Sequence, residues 1–150
     1  MLTRKTKYAL KALLVLADEG RDKPLLIADL AERAAVPRKF LEQILLEMNK
    51  AGLLSSRKGR GGGYRLAMEP RDITVGEIIR LTDGPLAPVP CVSVTAYAPC
   101  TECKDEETCR IRSVMKEARD ALAAVLDRRS LADMMRSRGV RSVISMDYVD

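Results

Sequence analysis

The chain has 150 residues, of which 47% are hydrophobic and 31% charged, enough for one domain with a buried core and too apolar for a wholly disordered protein. Its formal net charge is +5, and the excess sits in the first half: residues 1–80 carry 16 Lys and Arg against 10 Asp and Glu, residues 81–150 carry 10 against 11. The absence of histidine removes the imidazole general base, the Ser-His-Asp and Cys-His arrangements and histidine metal ligation, so an enzyme is the least expected class.

Apolar residues at Leu10, Leu13, Leu14 and Ala17 predict a first helix from Thr6 to about Glu19, stopped by Gly20. Lys11 interrupts this stretch and Asp18-Glu19 follow it, so it reads as neither a secretion signal nor a membrane span, and the expected location is the cytoplasm. A second short helix, Leu26 to Ala34, carries Ile27, Leu30, Ala31 and Ala34 on one face. The third runs from Pro37, a residue suited to the first helical position, to Ala51, with Gly52 as a left-handed stop. Its spacing predicts Phe40, Leu41, Ile44, Leu45 and Met48 as buried, and Arg38, Lys39, Glu42 and Gln43 toward the exposed face.

Two short helices joined by a few residues form a helix-turn-helix, whose second helix presents its first turns to base edges in the major groove. An ordinary helical hairpin is the competing possibility, and the next segment weighs against it. Residues 53–56 and 64–67 read as two short strands flanking Arg57-Lys58-Gly59-Arg60-Gly61-Gly62-Gly63, and no acidic residue occurs from Met48 to Met68. A glycine- and arginine-tipped hairpin beside a helix-turn-helix is a winged helix. Its glycines let the backbone approach a groove, and Arg57, Lys58 and Arg60 can meet phosphates or the minor-groove floor. A phosphate-binding P-loop is discounted, because its G-x-x-x-x-G-K-[ST] pattern is absent and no helix opens after the glycines.

A fourth helix is predicted from Thr74 to about Leu81, ending near Asp83-Gly84, before a proline-punctuated segment that holds Cys91, Cys100, Cys103 and Cys109. A long helix returns from Arg110 to Leu126, with Ile111, Met115, Ala118, Leu122 and Val125 spaced alternately four and three apart. That heptad seam favours a dimer helix over burial within the chain's own domain, and a two-fold protein suits two-fold DNA half-sites. Ser130 caps a last helix to about Arg138, stopped by Gly139.

The pattern C-x8-C-x2-C-x5-C gathers four thiols of the soft-metal kind, fit for zinc or an iron-sulfur cluster. A structural zinc site usually pairs two close couples, whereas only Cys100 and Cys103 form one here. A metal-free dithiol switch at Cys100 and Cys103 also stays open. The neighbouring Glu102, Asp105, Glu106 and Glu107 would raise thiol pKa values unless a cation offsets them, which favours metal. A small electron carrier or cluster-transfer protein could use the same cysteines, but would leave the helix-turn-helix and basic wing unexplained.

Leu2-Thr3 followed by Tyr8-Ala9, Phe40-Leu41-Glu42-Gln43-Ile44-Leu45, Gly61-Gly62-Gly63-Tyr64 and Val75-Gly76-Glu77-Ile78-Ile79, ahead of a cysteine segment and a long helix, resemble the Rrf2 family of bacterial transcription regulators. That family includes the iron-sulfur cluster biogenesis regulator and nitric-oxide-sensing and iron-responsive repressors. The resemblance implies a mainly α protein with a small β-hairpin wing, a winged helix-turn-helix DNA-binding domain plus a long C-terminal dimerisation helix. Its expected divisions are a DNA-binding domain at 1–83, a cluster-binding loop at 84–109, the dimerisation helix and short last helix at 110–138, and a tail at 139–150.

By the same resemblance the cofactor is a [2Fe-2S] or [4Fe-4S] cluster, the partners are double-stranded DNA and a second copy of the chain, and neither a membrane nor a small-molecule substrate is expected. Cys103 and Cys109 match the second and third cluster ligands and Cys91 lies where the first is expected, but the gap is long and holds the extra Cys100. Relatives complete the set with a histidine three residues past the last cysteine or with an acid from the partner's first helix. Arg112 and Lys7 stand at those positions here and cannot ligate, which leaves Cys100 as the expected fourth ligand. Glu42 and Gln43 would read bases, Arg38 and Lys39 would meet phosphates, Arg57, Lys58 and Arg60 would serve in the wing, and Tyr64 of the wing motif is placed with them.

Overall fold

Thr3 starts the first helix earlier than the apolar spacing predicts. Its hydroxyl accepts the Thr6 amide at 3.3 Å, and α1 runs Arg4–Glu19. The computed structural model describes residues 2–137, so the expected stop at Gly139 and the tail lie outside the described residues. Within them follow α2 (Ile27–Ala34), α3 (Arg38–Lys50), β1 (Leu54–Arg57), β2 (Gly63–Leu66), α4 (Val75–Asp83), α5 (Arg110–Leu126) and α6 (Leu131–Arg136). Short 3-10 turns occupy Pro70–Asp72 and Pro90–Val92. This is the mainly helical architecture with a two-stranded antiparallel wing that the sequence predicts.

Helices α1, α2 and α3 pack through Leu13, Leu16, Leu30, Leu41 and Leu45, all almost wholly buried, and Leu66 of the wing and Ile78 of α4 close the core. Between α2 and α3 the turn is made by Ala35, in the left-handed region at φ 51°, while Val36 is buried and donates its amide to Ala31 at 3.0 Å. Pro37 caps α3 instead of occupying its first turn. Phe40 departs from expectation altogether. The sequence places it in the core, yet it is 55% exposed, because α1 supplies only the Tyr8 ring, centroid 6.1 Å away, to cover one side of it.

The strands pair in register from Leu54 opposite Leu66 to Arg57 opposite Gly63. A third extended residue, Leu25, exchanges amide-carbonyl bonds with Tyr64 at 2.8 and 2.9 Å and ties the wing to the loop before α2. Gly63 makes this close approach possible: its φ is +136°, and a Cβ there would lie 2.3 Å from the Leu25 carbonyl oxygen. Gly63→Ala is therefore expected to cost about 2 kcal/mol or more, the strain of a disfavoured backbone plus the lost bridge. Gly59→Ala, at φ +89° with open space around it, meets only the backbone penalty. Urea midpoints of the two variants measure the difference, and equal values would contradict it.

The placement of α6 differs from the expected grouping of the chain. The sequence assigns the last helix to the dimerisation segment, but Leu131 of α6 is fully buried in the core that α1, α3 and α4 share, where α6 packs against α1. Backbone bonds Leu131 N to Ile73 O and Val75 N to Arg129 O, each 2.8 Å, fasten this return, and a capping box between Ser130 and Asp133 starts the helix. Helix α5 thus spans about 25 Å with its far end clamped to α4. Arg80 donates two hydrogen bonds to Asp127, at 2.6 and 2.9 Å, and they hold the Asp127 carboxyl below its ordinary pKa. Gly76 leaves the space this pair needs, since a Cβ there would lie 2.0 Å from an Asp127 oxygen.

Candidate functional site

The first turns of α3 carry Arg38, Lys39, Glu42 and Gln43 on solvent, as the helical period requires once Leu41, Ile44 and Leu45 are buried. Arg38 and Glu42 pair along the helix at 3.3 Å while both stay largely exposed, so the pair constrains them weakly and leaves the carboxylate free to accept. Arg57, Lys58 and Arg60 stand exposed around the wing tip. Arg65 joins them, its Nε donating to Ser55 Oγ across the strands at 3.1 Å, a cation not predicted as a contact. Tyr64 is half-buried against the core, with its backbone committed to Leu25. A basic helix face and a basic wing are thus built on one small domain.

The cysteine segment is organised by Glu106. Its carboxylate accepts the Cys100 amide at 3.2 Å and the Tyr97 hydroxyl at 3.0 Å, and lies 3.6 Å from Arg112 Nε. This carboxylate is thereby occupied instead of bearing freely on the thiols. Asp105 tightens the adjoining turn by accepting from the Glu107 amide and the Thr108 hydroxyl. Cys109 caps α5, its sulfur accepting the Arg112 amide at 3.4 Å, and lies 3.5 Å from Cys103 Sγ.

That amide, aided by the Cys103 thiol, holds the Cys109 thiol below its ordinary pKa. Cys103, which donates to the Cys109 sulfur, is pushed up to about 12 by that contact and by the neighbouring Cys100. Of the expected cysteines, Cys103 and Cys109 come together through their sulfurs, with Cys100 in the same loop. Cys91 is buried in the turn Pro90–Val92, and its carbonyl accepts Arg112 Nε at 3.3 Å.

Among the described residues no three Cys, Asp or Glu side chains converge on the volume of one metal ion. The donor chemistry nevertheless suits a thiolate-bound group. Two thiolates on one tetrahedral metal with ~2.3 Å bonds lie roughly 3.8 Å apart, close to the Cys103–Cys109 spacing. The seam of α5 stands open: none of the helix's residues is buried, Ile111 is 69% and Val125 58% exposed, and only Ala123 and Leu126 pack on the core.

The family model for Rrf2, an iron-dependent transcriptional regulator, matches residues 2–137. An rrf2-like HTH-type transcriptional regulator of Rhodobacter capsulatus is 50% identical over 138 residues, 90% of this chain and 92% of that protein. The solved CymR, the global cysteine regulator of B. subtilis, superposes with a TM-score of 0.74 at 30% identity, covering 91% of this chain and 96% of its own. T. potens IscR gives 0.71 at 29% identity, covering 95% and 93%.

Proposed function

We propose, from the premise that this chain belongs to the Rrf2 family of DNA-binding transcription regulators, that it acts as a homodimer whose grip on DNA follows an iron-sulfur cluster held by its cysteines. The observation that carries this is the Cys103–Cys109 sulfur pair, 3.5 Å apart with Cys100 in the same loop, at the end of α5 opposite its clamp to α4. These residues would hold the group, with Cys91 the remaining thiol of the segment. When bound, it supplies a redox- and iron-responsive bond set that free thiols lack.

The chain's own part is transmission. Cys109 is the cap of α5, so a change in the position of its sulfur acts on the Arg112 amide and on the first turn. At the other end Arg80, Asp127 and the Arg129 carbonyl hold α5 to α4, so the helix carries that change to the DNA-binding domain as one body. In a dimer joined along Ile111, Ala118, Leu122 and Val125, the same motion alters the spacing of two wings and hence the fit to two half-sites. Anaerobic purification with iron and sulfide analysis, a visible spectrum and operator titration before and after iron removal tests this. Iron-free, colourless protein with unchanged operator affinity would overturn it.

A second reading stays in the same class. Cys103 and Cys109, with sulfurs 3.5 Å apart, are a thiol pair close enough to join, a second candidate beside the Cys100–Cys103 couple that the spacing suggests. Oxidation by a peroxide would form the Cys103–Cys109 bond, giving two electrons and two protons to reduce the peroxide to water or alcohol. Peptide mapping of the iron-free protein distinguishes the two.

The reading face makes a separate prediction. Lys58→Ala is expected to weaken binding to every duplex and to lower the salt slope by about one, while Glu42→Gln shifts preference at one base pair by about 1–3 kcal/mol. Fluorescence anisotropy at several salt concentrations measures both, and identical changes in the two variants would contradict the division of roles.

A further inference from the structure

The chain's single phenylalanine is spent on an exposed position in the first turns of α3. Phe40 and the Tyr8 ring, tilted at 53°, wall an apolar notch of about 190 Å³ whose remaining lining is Ile44 and the stems of Arg4, Lys5 and Gln43. The surroundings are cationic, with Arg4, Lys7, Lys11 and Lys39 exposed, and Glu47, on the same side of α3, is paired with Lys5 at 2.6 Å. An apolar notch rimmed by cations fits an apolar group carried on a polyanion. In the major groove the thymine 5-methyl is such a group, and phenylalanine is a side chain that meets it.

We propose that the Tyr8–Phe40 notch is a thymine-methyl subsite, which makes Phe40 a specificity-determining residue. Gln43 lies three residues on, one turn along the same side of the helix, and can pair with an adenine edge. The notch then selects a thymine beside the base pair that Gln43 reads, so each half-site contains an A·T-rich step under the first turns of α3. The inference rests on α3 entering the major groove.

The test starts from duplexes selected by the intact protein from a random library. Each thymine of the selected site is replaced in turn by deoxyuridine, which removes only the methyl. One thymine per half-site is expected to lose about fourfold in affinity, the worth of one buried methyl group. In Phe40→Ala, whose circular dichroism should match the parent, uracil at that position is expected to cost nothing further, and Phe40→Leu should restore part of the discrimination. Indifference to uracil at every thymine, or the same penalty in Phe40→Ala, overturns the subsite while leaving DNA reading intact. Failure to enrich any sequence overturns the placement of α3, and the notch with it.

Discussion

Ile111→Asp with Val125→Asp is expected to leave a folded monomer that has lost most of its operator affinity. Both side chains are largely exposed within one protomer, so the domain core should survive the change, with circular dichroism and the thermal midpoint close to the parent's. Across a two-fold seam each substitution occurs twice. Burying such aliphatic side chains contributes about 1.5–3 kcal/mol each, and the aspartates add the cost of hidden charge. A dimer joined along α5 cannot absorb that loss.

The consequence for DNA comes from linkage. Two wing domains held together bind the second half-site at high effective concentration, and separating them lowers affinity by about 10²- to 10⁴-fold without touching a base contact. Sedimentation equilibrium and operator titration read the two effects. A double variant that stays dimeric would show that α5 is not the seam.

The second large effect is expected at the cap of α5. Cys109→Ser replaces a sulfur acceptor by a hydroxyl, which caps a helix at least as well, so α5 and its fit to the domain should persist. The thiolate is lost, and bound iron is expected to fall by about tenfold or more, because a ligand bond is removed and not merely a contact. The operator response to iron removal should vanish with it.

Cys100→Ser should also lower iron and bleach the visible spectrum. An unchanged spectrum and stoichiometry would exclude Cys100 as a ligand. Cys91→Ser separates structure from ligation: Cys91 is buried, and an unpartnered hydroxyl there costs about 1–3 kcal/mol of stability. Full iron content in that variant, despite a lower urea midpoint, would place Cys91 outside the ligand set. Unchanged iron in Cys109→Ser would exclude Cys109 as a ligand.

Much of this architecture is local and was legible. The alternation of four and three in α5 predicts Arg110–Leu126, the bounds observed, and the glycine-rich stretch predicts the wing. Ser130 as a cap is likewise a local signal, here completed by Asp133 three residues on. Phe40 shows where periodicity misleads. An apolar residue at the border of a helical stripe is counted with the core, but its exposure depends on whether a distant element covers it, and α1 brings only one ring.

The cysteines divide in the same manner. Their spacing marks a thiol site, yet which thiols meet is decided by Glu106, which folds the loop back through the Cys100 amide, and by the turn that buries Cys91.

By itself, the sequence determined the order of elements, the mainly helical class with its glycine-rich wing, the Ser130 cap and the exclusion of histidine-based mechanisms, because each depends on residue type and short-range spacing. Only the tertiary structure decided that Leu25 braces the wing, that α6 returns to the core, that the apolar residues of α5 stay exposed and that the Cys103 and Cys109 sulfurs meet. These depend on backbone and side-chain partners dozens of residues apart, and no local period or propensity encodes such a pairing.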